Sequence, residues 1–81
     1  MKEINLQRCH NKKAAIKLCE ENGTTIKEVI IENINTIIDG LKDNILKIQN
    51  NEKLENEDWV KVAIPLNSMM TALANGWYLE Y

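Results

Sequence analysis

The chain has 81 residues, a formal net charge of −2, two cysteines and four aromatic residues. At that length it forms one domain, residues 1–81, which buries only about 60% of its unfolded surface and is marginal alone. The charge excludes strong global attraction to nucleic acid, and Arg8 is the one arginine among ten cations, which weighs against bidentate base reading. The apolar runs are too short and interrupted for a membrane span, and no targeting stretch is visible. A cytoplasmic protein with reduced thiols is the expectation. Isoleucine, asparagine and lysine are abundant, and their AT-rich codons point to an AT-rich genome, such as that of a bacterium or its phage.

Met1 to Leu6 allows either a short strand, through the alternation of Ile4 and Leu6, or a frayed helix start. From Asn11 to Asn22 the pattern is helical, with Ala15, Ile16, Leu18 and Cys19 on one side. Asn11 is the candidate cap. Lys12 and Lys13 sit badly with the dipole of a first turn, so a start nearer Asn5 stays open. Gly23 ends this helix.

The dominant element is Thr25 to Gln49. Ile26, Ile30, Ile34, Ile37, Leu41, Ile45 and Ile48 recur at helical spacing, and Ile31 and Ile38 widen the stripe. Glu28, Glu32, Asn35, Thr36, Asp39, Asp43 and Lys47 make the opposite face. Val29 and Leu46 fall outside the stripe and need partial burial or a partner. The helix should span about 37 Å. Thr25 followed by Glu28 has capping-box spacing. Gly40 marks either a bend, a close approach or, more commonly, a tolerated surface glycine.

Gln49 to Glu57 reads as a polar loop. Asp58 to Ala74 has two readings. As a helix, Trp59, Val62, Ala63, Leu66, Met69, Met70 and Leu73 share a face, and Glu55, Glu57 and Asp58 suit its N-terminus. Pro65 objects, because it clashes with the carbonyl of Lys61. The favoured form is a kinked helix or two nearly continuous ones. The other is a strand from Trp59 to Ile64 followed by a short helix. Gly76 is the terminator in both. Trp77, Leu79 and Tyr81 alternate, which permits a terminal strand paired with Ile4 and Leu6. The fold class is therefore mainly α, a small three- or four-helix domain on one long central helix, with α+β as the alternative.

Catalytic chemistry finds little support, and no cofactor is implied. Cys9, His10 and Cys19 lack the spacing of a zinc site. A Cys9–His10 nucleophile pair has no third group to orient it. The carboxylate pairs Glu20–Glu21 and Asp39–Asp43 belong to a solvated face, and phosphate-binding glycine loops are absent. Ala14 to Ile34, AAIKLCEENGTTIKEVIIENI, resembles the opening of repressor-type helix-turn-helix domains over about a quarter of the chain. That resemblance implies DNA binding. The chain departs from it where such domains turn into a recognition helix, because the apolar period here runs on through Asn33 to Ile48.

Elimination leaves a non-catalytic protein-binding module, with a homodimer among the expected partners and a small regulator or inhibitor of phage or mobile-element type as the expected kind. Trp77, Tyr78, Tyr81, Met69 and Ile31 are the candidate interface residues, since such side chains are enriched at interface cores. Nucleic-acid binding through Arg8, Lys12, Lys13 and Lys17 is the alternative.

Overall fold

A computed structural model describes residues 4–79. A 3-10 turn, Leu6–Arg8, is followed by α1 (Lys12–Glu21), α2 (Ile26–Gln49), α3 (Asn56–Asn67) and α4 (Met70–Ala74). The described residues contain no strand, so Ile4 and Leu6 do not pair with Trp77 and Leu79 as the alternative α+β reading allowed. Leu6 is instead fully buried within its turn. Tyr81, placed in that strand by its alternation, lies outside the described residues.

Local chemistry sets the helix boundaries. Asn11 accepts from the Ala14 N–H and starts α1 at Lys12 rather than near Asn5. Thr25 accepts from the Glu28 N–H to start α2, while the Glu28 carboxylate turns to the Thr24 hydroxyl, so only half of the expected capping box is made. Glu55 and Asp58 form the reciprocal box at α3.

Three helices end alike. After α1, α2 and α4 a residue with positive φ (Gly23, Asn51, Gly76) reverses the chain. In each, the next N–H donates back to the helix: Thr24 to Cys19, Glu52 to Lys47 and Trp77 to Ala72. These are Schellman closures, which satisfy carbonyls left free at a helix end.

Pro65 lies inside α3, as the helical reading expects, and the Ser68 hydroxyl donates to its carbonyl. The helix stops two residues later. Met69 N–H bonds back three residues to Leu66, which shifts the phase before α4 begins. The result is two short helices, with no strand from Trp59 to Ile64.

The apolar core sits at one end. Leu6, Ala15, Cys19, Ile26, Val29, Ile30, Met69, Ala72 and Trp77 form it, so only the first third of α2 is wrapped by several elements. Val29, read as lying outside the stripe, is one of its members. Beyond Ile30, α2 pairs with α3 as an antiparallel hairpin. Gly40 meets Val62, the Asn44 side chain donates to the Asp58 carbonyl at 3.0 Å, and Lys47 bonds Asp58. The molecule is accordingly elongated, 46 × 25 × 19 Å.

Candidate protein-interaction surface

The hairpin decides which face of α2 is left uncovered. An α-helix turns about 100° per residue. Ile30, Ile37, Gly40, Asn44 and Lys47 lie on the line facing α1 and α3. About 100° round the helix, Ile31, Ile34, Ile38, Leu41, Ile45 and Ile48 form a second line, each 39 to 62% exposed. This reverses the expectation in part. Ile34, Leu41, Ile45 and Ile48 face solvent instead of core, and Lys47 of the expected polar face turns inward. Gly40, expected as a surface glycine, is buried against α3.

The reason lies in α3. Opposite Asp58, Val62 and the stem of Lys61, α2 places Gly40, Asn44 and Lys47, and Ile37 is the isoleucine left on this stretch of the inward line. Lys47 Nζ donates to both Asp58 carboxylate oxygens at 2.8 Å, and the Glu55 N–H adds a third bond at 2.8 Å. Lys47 and then that N–H hold the Asp58 carboxyl below its usual range, while the Asp58 hydrogen bond raises the Lys47 ammonium above its own.

The two flanks of the hairpin differ. On one side Glu32, Asn33 and Thr36 of α2 face Lys61, Pro65 and Ser68 of α3 across an open cleft of about 400 Å³. Trp59 and Leu66 of α3 lie on the other side by helical phase, next to the exposed isoleucine line. Both are themselves exposed.

The sequence-derived interface residues separate into three groups. Met69 and Trp77 are core residues, at 1% and 8% exposure, so they present no free anchor to a partner. Trp77 docks on its own chain because the closure after α4 folds it back over Ala72. Ile31, Tyr78 and the edge of Trp77 do come together, in a groove of about 560 Å³ between α1, the start of α2 and the C-terminal turn. The third group is Tyr81, outside the described residues. Sequence reasoning missed Trp59 and Leu66 as surface residues. Their i, i+7 spacing was visible, but so was an equally good core reading.

The basic residues lie at the α1 end. Arg8, Lys13 and Lys17 are exposed, whereas Lys12 reaches the C-terminal turn and donates to the Leu79 carbonyl at 2.7 Å. Cys9 is half-buried and Cys19 buried. Burial raises both thiols, with Cys9 adding to the shift of Cys19, which suppresses the thiolate that nucleophilic chemistry requires. His10 is exposed. Among the described residues, no three His, Cys, Asp or Glu side chains converge as metal ligands, and no helix is long and apolar enough to cross a membrane. Comparison with family models, curated proteins and solved structures found no match to this chain.

Proposed function

We propose that this chain is a non-catalytic protein-binding module that works by laying the uncovered face of α2 against another polypeptide. The exposed apolar line from Ile31 to Ile48 carries the reading. Scattered surface isoleucines need no explanation, but a contiguous apolar patch of this size marks an interaction site. Partial burial of Cys9 and burial of Cys19 disfavour the thiolate form, which supports a non-catalytic role. Small size and surplus apolar surface support the narrower reading of a regulator or inhibitor, of the kind mobile elements encode.

Affinity capture from the native cell tests it, with the wild type and Leu41→Lys as parallel baits. Leu41 is exposed, so its replacement leaves the core intact. A stoichiometric protein bound by the wild type and lost from Leu41→Lys is the expected result. Equal recovery on both baits would remove α2 from the argument. Nuclease-sensitive material released by moderate salt would transfer the function to Arg8, Lys13 and Lys17, because salt competes with phosphate contacts.

A further inference from the structure

We propose that the occupant of this face is a second copy of the same chain, docked antiparallel through α2. The proposal rests on the protein-binding reading above and names its partner.

The spacing of the exposed line is the first argument. From Ile31 the steps are three, four, three, four and three, which is the a/d alternation of a coiled-coil seam. The inward line carries the polar contacts of the hairpin instead. The seam is thus formed by residues that the chain's own fold leaves 39 to 62% exposed. Isoleucine at both positions is a poor choice for a solvated helix, because branching at Cβ lowers helix propensity.

Self-complementarity is the second argument. In an antiparallel pair centred between Ile38 and Leu41, Ile31 stands opposite Ile48 of the second copy, Ile34 opposite Ile45, and Ile38 opposite Leu41. All six positions then meet an apolar partner, as an isologous interface requires. The polar flank beside the seam carries Glu28, Asn35, Lys42 and Gln49. In this register Glu28 falls near Gln49 and Asn35 near Lys42, so no like charges are opposed.

The position of α3 selects the orientation. Trp59 and Leu66 flank the seam on its α3 side. Antiparallel docking places both copies of α3 on the same side of the seam, where these residues meet across the two-fold axis. Four helices then enclose one apolar layer, the arrangement of a helix bundle. Parallel docking would set Trp59 beside Asn35 and Lys42 of the other copy. From their fractional exposures, the seam with Trp59 and Leu66 exposes about 800 Å² per chain, so covering all of it would equal the share one partner buries in an interface of standard size.

Sedimentation equilibrium on the purified chain, over a concentration series, is the test. The wild type is expected at twice the chain mass of 9.3 kDa, and Leu41→Lys and Ile38→Glu at the monomer mass with unchanged helical circular dichroism. Orientation is read from Ile34→Glu, Ile45→Lys and the two combined. Each single change is expected to break the dimer. The combination restores it only in the antiparallel register, where each new acid faces a new base. A wild type that stays monomeric, or a dimer that survives Leu41→Lys, overturns the proposal. A dimer lost in all three charge variants overturns the antiparallel arrangement. If the wild type is monomeric yet captures a different protein through Leu41, the self-association fails while the protein-binding reading stands. Monomer and empty bait together end both.

Discussion

Gly40 of α2 lies so close to Val62 of α3 that a Cβ at Gly40 would stand 2.9 Å from Val62 Cγ2. This contact sets how closely the two halves of the hairpin approach. Alanine is the better helix former by about 1 kcal/mol, so propensity alone would favour Gly40→Ala. The opposing term is larger. Valine in a helix is confined to one χ1 rotamer, so the methyl cannot swing away and the helices must separate. Overpacking of this kind costs about 1–3 kcal/mol. Gly40→Ala is therefore expected to lower stability by about 1 kcal/mol net, a fall of roughly 4–8 °C in Tm for a domain of this size. Thermal melts of Gly40→Ala, Val62→Ala and the double variant check it. The double variant should recover most of the loss, and a stabilised Gly40→Ala would show that the contact is soft.

Asp58 couples this hairpin to pH. Its folded carboxyl is held below the ordinary value of 3.8, chiefly by Lys47 and then by the Glu55 N–H. A depressed acid contributes stability that is present above its unfolded pKa and lost as pH falls through its folded one. The loss should begin below about pH 3.8 and continue into stronger acid. Lys47 acts at the other limit. Its ammonium is raised above 10.5, so its contribution is complete below that value and lost as pH rises through the folded pKa. In Asp58→Asn the acid-side loss should shrink, because that titration is removed. Tm measured from pH 5 down to pH 2 for both proteins decides the matter, and parallel curves would show that other carboxylates carry the acid response.

Met69 and Met70 are neighbours in sequence with opposite surroundings, 1% and 51% exposed. Both belonged to one apolar face when Asp58 to Ala74 was read as a continuous helix. The three-residue bond at Met69 breaks that phase and drives its side chain into the core beside Leu6 and Trp77. Truncating a buried methionine costs about 2–5 kcal/mol, whereas an exposed one changes stability by about 0.5 kcal/mol or less. Met69→Ala is expected to unfold at much lower denaturant than Met70→Ala. Similar midpoints would show that the break between α3 and α4 is misplaced.

The long helix was legible from the sequence because its signals are local. Thr25 caps it, the helical period persists for more than six turns, and the polar run after Gln49 closes it. Gly23 and Gly76 marked their chain reversals for the same reason, since αL backbone favours glycine. Which face of α2 is buried was not legible. Apolar residues occupy more than half of its circumference, so periodicity identifies a helix without choosing an inside. That choice is made by Asp58 and Val62, in another segment, which take the amide of Asn44, the ammonium of Lys47 and the bare backbone of Gly40. The terminal strand failed on a related point. Ile4 and Leu6 alternate over too few residues to separate a strand from a turn, and burial of Leu6 under α4 decided for the turn.

Gln7 caps a helix from which it is separated by most of the chain. Its side-chain oxygen accepts from the Thr71 N–H at 2.7 Å, and its own N–H donates to the Ser68 carbonyl at 3.1 Å. The five-residue α4 has Met69 as its N-cap, and a thioether is a weak acceptor that makes no capping bond here. The distant glutamine therefore supplies the acceptor that serine or aspartate would supply locally. Loss of a capping acceptor costs about 0.5–2 kcal/mol, and the exposure of this bond places Gln7→Ala near the lower end. Gln7→Glu keeps the acceptor and adds negative charge at a helix N-terminus, a favourable position. Thermal melts at neutral pH should rank Gln7→Glu at or above wild type and Gln7→Ala below it. Amide exchange at Thr71 should accelerate in Gln7→Ala alone. If both variants melt with the wild type and Thr71 exchanges at an unchanged rate, the turn at Leu6–Arg8 is held by burial of Leu6 and the cap contributes nothing.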